Sequence, residues 1–304
     1  MALYPLLIIF GFFIIFLYFT DLDKIYASHL DINTTKLNDK MYVIHGSGGN
    51  VLLSIGNDGV ILVDDQYRPV TEKLKSVIAN LTDKPVKFVI NTHLHPDHVG
   101  GNEKLGKAGA IIVSHDNVRK RLSSDQFFEF INMTIPALSE KGLPIITFSD
   151  NMTFYQNDDE IKITHLEDGH TDGDSAVYFT KNNLIHVGDD FSDRSYPLMD
   201  LSNGGSIDGL ILSLKKILSM INKDTKVVAG HSGISNQTKV KDYQNMLIDV
   251  HDNIRNMMIK EGKSLDEIIK SKPTSKYDMI YYDHSFIKPK DLVTNIYKSI
   301  HNKK

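Results

Sequence analysis

The sequence of 304 residues contains no cysteine. This absence excludes disulfide bonds and thiolate metal ligands. An excess of basic residues is also missing, because 34 Lys and Arg face 38 Asp and Glu and leave a formal net charge of −4. Nucleic-acid backbones are bound by positive patches, so we expect no nucleic-acid partner. No internal repeat or low-complexity block is found, and 41% hydrophobic residues is an ordinary content for a globular chain.

A long uncharged run stands at the N-terminus, where residues 2–19 carry no charged side chain. As a helix this segment would extend about 27 Å, close to the bilayer core of about 30 Å. It is apolar all round, which favours export or anchoring over packing against a domain. We predict a signal peptide or N-terminal membrane anchor over residues 1–28 and one domain over residues 29–304. The expected location is periplasmic or secreted, or anchored to the inner membrane, with membrane contact only through this segment.

The stretch THLHPDHVGG at residues 92–101 concentrates side chains that bind metal. Imidazole and carboxylate groups bind zinc and similar divalent ions. The candidate donors are His93, His95, Asp97 and His98. The first two are two positions apart, so on an extended segment they point the same way and can bind one ion. Pro96 turns the chain before the other two, which can therefore face a second ion.

Three further candidate ligands lie downstream. Asp189 and His231 each follow a short β-like run, and His170 lies in the turn-rich loop 168–174. Loops at strand ends commonly build sites on a rigid scaffold. The intervals between these residues are long, so only tertiary folding can bring them together. Taken with the first group, they complete a set of ligands for two metal ions.

These segments, in this order, resemble the metallo-β-lactamase superfamily of hydrolases. The matching elements are Asp64 at the end of an early strand, the 92–101 stretch, Gly169–Asp174, Gly188–Asp189 and Gly230–His231. They cover about residues 40–235. The resemblance implies an α/β fold, the four-layer αβ/βα sandwich of the metallo-β-lactamase type.

The resemblance also implies a role for each candidate ligand. One ion would be held by His93, His95 and His170, the other by Asp97, His98 and His231, with Asp189 bridging the two and Asp64 supporting the metal loop. The implied cofactor is two Zn²⁺, with Fe or Mn as alternatives. Class B1 and B2 β-lactamases carry a cysteine at the position of Asp189. The chain is therefore more similar to the branches with a bridging aspartate.

The function implied is a metal-dependent hydrolase of a small-molecule substrate. A hydroxide bound by two zinc ions would cleave an ester, lactone, thioester or amide bond. Asp97 would be catalytic, because it could orient the nucleophile and pass its proton to the leaving group. Three alternatives stay open: a β-lactamase, since class B3 enzymes also lack the cysteine; a mononuclear-iron sulfur dioxygenase of the same fold; and a non-catalytic metal-binding protein.

Several segments around these ligands have less specific patterns. Residues 20–38 have the composition of a polar linker. The turn at 46–50 is either a flap over the metals or a plain hairpin. Residues 123–160 are either a lid or a helix packed on the core, and we favour the helix. The loop 190–206 is expected to line the substrate cleft, with Arg194 and Tyr196 contacting a substrate carboxylate or oxyanion.

Overall fold

Fifteen strands are formed by the described residues of this computed structural model, which are 32–46, 48–282 and 286–301. They are β1 (Asn33–Lys36), β2 (Met41–His45), β3 (Val51–Gly56), β4 (Gly59–Val63), β5 (Val86–Ile90), β6 (Ile111–His115), β7 (Gln126–Phe128), β8 (Met133–Ile135), β9 (Ile146–Phe148), β10 (Asn151–Gln156), β11 (Asp159–His165), β12 (Ser175–Phe179), β13 (Leu184–His186), β14 (Lys226–Val228) and β15 (Ile234–Ser235).

Nine α-helices lie in the same described ranges. They are α1 (Thr71–Leu81), α2 (Pro96–Val99), α3 (Asn102–Lys107), α4 (Asp116–Leu122), α5 (Ile207–Met220), α6 (Gln237–Ile259), α7 (Leu265–Ser271), α8 (Asp278–Tyr281) and α9 (Pro289–His301). Short 3₁₀ turns occupy Arg68–Val70, Glu129–Ile131 and Leu201–Asn203. No helix among the described residues is both long and apolar enough to cross a membrane. The predicted N-terminal signal or anchor lies outside those residues and stays a prediction.

The strands form two main sheets. The first has the order β1-β2-β3-β4-β5-β6-β9, and the second has the order β10-β11-β12-β13-β14-β15. In the first sheet β4, β5 and β6 are parallel neighbours, and in the second β13 and β14 are parallel. The carboxyl ends of parallel strands meet at one edge of a sheet, which is where open α/β sheets place ligands. The loops after β4, β5, β13 and β14 carry most of the predicted site.

The two sheets pack face to face through an apolar layer. Val43, Leu52 and Val63 of the first sheet meet Ile163 and Val177 of the second, all fully buried. The alternation of apolar residues along each strand directs one face inward, as expected for period-two side-chain geometry. These strands therefore form the two central layers of the molecule.

Helices cover the outer face of each sheet. Leu74 and Ile78 of α1 pack on Leu62 and Val89 of the first sheet. The outer face of the second sheet is covered by α5, α6, α7 and α9, whose buried residues form the largest apolar cluster. The result is the αβ/βα sandwich that the sequence predicted, and this prediction is confirmed.

The structure corrects two predictions about connecting segments. Residues 123–160 do not form a helix: Gln126–Phe128 and Met133–Ile135 pair as an antiparallel hairpin, followed by β9 and β10. Consecutive aromatic and β-branched residues favour strand over helix here. The described end of the predicted linker 20–38 forms the exposed edge strand β1, which pairs with β2.

Candidate metal centre

All seven predicted ligands converge at the edge where the strands end. His93 and His95 follow β5, and Asp97 and His98 lie in the single turn of α2, which begins at Pro96. Asp189 follows β13, His231 follows β14, and His170 lies in the loop before β12. The structure therefore brings together residues that are far apart in the sequence.

The first group consists of His93, His95, His170 and Asp189, whose donor atoms all lie within 4.8 Å of one another. Nε2 of His170 is 2.9 Å from Nδ1 of His95 and 3.6 Å from Oδ2 of Asp189. Nε2 of His93 is 3.9 Å from the same carboxylate oxygen. Such a cluster of nitrogens and one oxygen is the donor set that zinc prefers.

The second group consists of Asp97, His98 and His231, whose donor atoms also lie within 4.8 Å of one another. Nε2 of His231 is 3.0 Å from Oδ2 of Asp97 and 3.2 Å from Oδ2 of Asp189. Nε2 of His98 is 3.4 Å from Oδ1 of Asp189. The carboxylate of Asp189 thus lies between the two groups, where a bridging ligand would have to be.

Three of the imidazoles are held by a hydrogen-bond partner on the nitrogen that faces away from the cluster. Nδ1 of His98 donates to Asp64 at 2.7 Å, and Nε2 of His95 donates to Asp200 at 3.0 Å. Nδ1 of His170 donates to the carbonyl of Leu198 at 2.7 Å. Such partners fix the tautomer and leave the remaining nitrogen free to accept a cation.

Asp64 organises the loop that carries the first ligands. Its carboxylate accepts hydrogen bonds from the backbone N–H of Thr92 at 2.7 Å and from the Thr92 hydroxyl at 2.8 Å, in addition to that from His98. Its backbone has a φ of 63° in the left-handed region, where aspartate is tolerated better than most residues. This geometry agrees with the supporting role that the family resemblance implied.

Two buried polar atoms of the site have no hydrogen-bond partner in the protein: Nε2 of His93 and Oδ1 of Asp189. Buried polar atoms without a partner are costly, and both atoms point into the cluster of donors. In the part of the chain that the structure describes, the charged partners of Asp97 and Asp189 are histidines. A divalent cation would satisfy both orphaned atoms, so the residues present fit a metal.

The pKa shifts of the clustered side chains also favour a cation at this site. Burial alone would raise the pKa values of Asp97 and Asp189, but the neighbouring His98 and His231 outweigh it and hold both pKa values below the usual range. The carboxylate of Asp189 in turn raises the pKa of His231 to about 10. Burial lowers the pKa of His170 to about 4. The carboxylates of Asp97 and Asp189 are therefore ionised, and positive charge beside them stabilises this form.

Four neighbours of the site were not found by sequence analysis. Asp200 lies in the 190–206 loop, which was expected to line a cleft rather than to hold His95. The rings of Phe128 and Phe130 pack against the His95 ring, with centroids 5.3 Å and 5.4 Å away. Tyr67, which is 38% exposed, lies near Asp97 and Asp189, and desolvation together with these carboxylates raises its pKa. None of them belongs to a recognisable motif.

The 46–50 turn and Arg194 border a cavity beside His231. This cavity of about 310 Å³ is lined by His45, Gly46, Gly48, Asn50, Arg194, Gly230, His231, Ser232 and Gly233. The turn is anchored, since Asn50 donates its backbone N–H to the Gly230 carbonyl at 2.6 Å and Gly48 donates to Gln66 at 3.0 Å. The Arg194 side chain is 78% exposed, so it is available to a ligand there.

The structure does not support the expectation that Tyr196 contacts substrate. Its ring is only 2% exposed, and its hydroxyl donates to Asp278 at 2.7 Å. It packs in the apolar cluster beneath the C-terminal helices, beside Tyr281. The sequence around Tyr196 gave no periodicity that would have distinguished a packed tyrosine from an exposed one.

Comparison with known proteins agrees with this geometry. The family model described as the metallo-beta-lactamase superfamily matches residues 44–231, which include every predicted ligand. The chain therefore belongs to the metallo-β-lactamase superfamily, a superfamily of hydrolases.

The chain is similar to one curated protein in sequence, of which it spans less than two thirds, and to several solved structures in fold. The chain is 30% identical over 172 residues to a hydroxyacylglutathione hydrolase of Pelagibacter ubique, a match that covers 54% of this chain and 60% of that protein. A metallo-beta-lactamase from Pontibacter korlensis has a TM-score of 0.61 at 20% identity, covering 72% of this chain and 100% of the other. A stereoselective inverting sec-alkylsulfatase from Pseudomonas sp. has a TM-score of 0.67 at 13% identity, covering 88% of this chain and 50% of the other.

Proposed function

We propose that the protein is a hydrolase that holds two divalent metal ions, zinc in the first place, and cleaves an acyl bond of a small molecule. The observation that carries this proposal is the pair of donor groups with Asp189 between them. Two groups that share one carboxylate suit a dinuclear site better than a single ion held by two histidines and an aspartate. The sulfur dioxygenase alternative is therefore disfavoured.

The ligands have distinct tasks in this proposal. His93, His95 and His170 would hold one ion, Asp97, His98 and His231 the other, and Asp189 both. When bound, such a pair of ions supplies an activated water at neutral pH and polarises the bond to be cleaved. The partners Asp64, Asp200 and the Leu198 carbonyl keep three of the imidazoles in the orientation that ligation requires.

Asp97 is the residue to which we assign proton handling. Its carboxylate is held ionised by His98 and His231, so at neutral pH it can accept a hydrogen bond from an attacking water. It also lies under the 46–50 turn, where the Gly49 N–H donates to the Asp97 carbonyl at 3.2 Å. A group in this position can orient the attacking water and pass its proton to the leaving group.

The substrate would enter through the cavity beside His231. Its lining includes four glycines and the exposed side chain of Arg194. An exposed guanidinium there can pair with a carboxylate of the substrate. Because the similar protein from Pelagibacter ubique is a hydroxyacylglutathione hydrolase, we propose a thioester as the first bond to test, ahead of esters, lactones, amides and β-lactams.

The proposal is tested by removing metal from the purified chain, restoring Zn²⁺, Fe²⁺ or Mn²⁺ separately, and assaying a panel of substrates. The panel contains a glutathione thioester, a lactone, an aryl ester, a sulfate ester, a phosphodiester and a chromogenic β-lactam. We expect chelator-sensitive thioester hydrolysis that zinc restores, and a loss of about 10²-fold or more in Asp97→Asn, the magnitude typical of a removed acid or base. Activity that survives complete metal removal would contradict the proposal.

A further inference from the structure

We propose that Arg121 is a positioning residue for the first group of metal ligands, acting on His95 through Asn203 and Asp200 and on the His170 loop through Asp172. This inference rests on the proposed metal-binding function. It adds a residue that lies outside the ligand set and outside the five segments that carry the family resemblance.

Arg121 lies in the last turn of α4, and its guanidinium makes four hydrogen bonds. Nε donates to Oδ1 of Asp172 at 2.7 Å and one terminal nitrogen donates to Oδ2 of Asp172 at 2.6 Å. The other terminal nitrogen donates to Oδ1 of Asn203 at 2.9 Å and to Oε1 of Gln126 at 3.3 Å. The bidentate pair with Asp172 is well shielded, since the two side chains are 21% and 22% exposed.

A continuous series of hydrogen bonds leads from Arg121 to His95. Asn203 accepts from Arg121 with its amide oxygen, which leaves its amide nitrogen to donate to Oδ2 of Asp200 at 2.7 Å. The same oxygen of Asp200 accepts from Nε2 of His95 at 3.0 Å. Arg121 thus fixes which way the Asn203 amide faces, and the Asn203 amide holds the carboxylate that orients the ligand.

Arg121 also connects the two loops behind the first metal group. Asp172 is two residues from His170, and its backbone N–H donates to the Asn203 carbonyl at 3.0 Å. The N–H of Asp200 donates to the His170 carbonyl at 2.9 Å. The guanidinium spans both loops and reaches Gln126, at the start of the hairpin that carries Phe128 against His95.

The chemistry of these contacts requires arginine. A guanidinium has donors in a planar fork that can engage a carboxylate with one edge and an amide with the other, whereas a lysine ammonium cannot do both in one plane. In the second metal group, His98 is held directly by Asp64. Disruption at Arg121 is therefore expected to act on one group of ligands and leave the other unchanged.

The test compares Arg121→Met, Arg121→Lys and Asn203→Ala with the matched control Lys120→Met, an exposed position on the same helix. Stepwise Zn²⁺ affinities are measured by chelator competition, and bound Co²⁺ is monitored by its absorption spectrum. We expect all three variants to weaken one of the two binding steps by about 10-fold, toward the lower end of the 10–100-fold effects of lost ligand partners. The control should match the original chain.

The double variant Arg121→Met with Asn203→Ala distinguishes a specific effect on the position of His95 from a general loss of local structure. Because Asn203 lies on the route from Arg121 to His95, the two changes share that route, and the double variant should weaken the affected step by less than the product of the two single effects. The inference is overturned if the original chain binds two ions and the variants bind both unchanged, or if both steps weaken equally. Failure of the original chain to bind metal would instead overturn the proposed function.

Discussion

At the scale of single residues, the backbone of Gly230 lies so close to the Asp189 carboxylate that there is no room for a side chain at position 230. A Cβ at Gly230 would lie 1.9 Å from Oδ1 of Asp189, which is impossible without displacing that carboxylate. A Cβ at the nearby Gly233 would meet nothing within 4 Å. The pair offers a matched test, because both glycines border the same loop and only one touches the ligand.

We predict that Gly230→Ala lowers zinc affinity by at least about 10-fold, since it moves the carboxylate shared by the two ligand groups. Gly233→Ala should retain the affinity of the original chain. Isothermal titration of the metal-free proteins with Zn²⁺ measures both. Equal affinities for the two variants would show that Asp189 is not a ligand in this position.

The ligands themselves could be predicted from the sequence because each belongs to a short motif with glycine or proline at a fixed offset. Asp200 could not, because its role depends on how the 190–206 loop folds back behind His95. Tyr196 was misjudged for a related reason. A loop sequence alone does not show which of its side chains turns toward the C-terminal helices.

At the scale of elements, the start of α4 carries a titratable group outside the metal centre. His115 is the N-cap, and its Nδ1 accepts from the backbone N–H of Asn117 at 3.3 Å while Nε2 donates to the Ser149 carbonyl at 2.8 Å. Its ring stacks on that of His165 with centroids 3.9 Å apart and planes 7° apart. Burial, with His165 beside it, lowers the pKa of His115.

This arrangement predicts that His115 reduces stability in mild acid. The folded form binds a proton on His115 more weakly than the unfolded chain, whose histidine has the ordinary pKa of about 6.5. The unfolded state therefore binds more protons below that pH, and the free energy of unfolding falls as the pH drops from about 7 to 5. In His115→Gln this fall should be shallower. Urea unfolding at several pH values checks it, and identical slopes for the two proteins would contradict the prediction.

At this scale the sequence did not predict the hairpin β7–β8, because its three-residue strands are too short to show a period. Its position is fixed by contacts with other elements, such as the Ser202 hydroxyl donating to the Phe127 carbonyl at 3.2 Å.

At the scale of the whole molecule, the C-terminal helices are part of the structure that supports the site. The family match ends at residue 231, yet α6 and α9 contribute fully buried Leu247 and Ile296 to the cluster that also contains Ile185 and Val227 of the second sheet. Asp189 and His231 follow those two strands directly. Their positions therefore depend on the helices packed behind the sheet.

We predict that Leu247→Ala lowers the free energy of unfolding by about 2–5 kcal/mol, as expected for a large-to-small change in a packed core. The loss of stability should extend to the second sheet, because α6 and this sheet contribute to the same apolar cluster. Hydrogen exchange of β13, β14 and α6 tests this point. Protection lost in α6 but retained in the strands would show instead that the helices form a separate unit.

The central claim is that seven side chains hold two ions. Its most direct test is a titration of the metal-free chain with Zn²⁺ in which bound metal and thioester hydrolysis are measured in the same sample. We expect about two ions per chain, with full turnover reached only near the second equivalent. Saturation at one ion, with the Asp97, His98 and His231 group dispensable for binding, would contradict it.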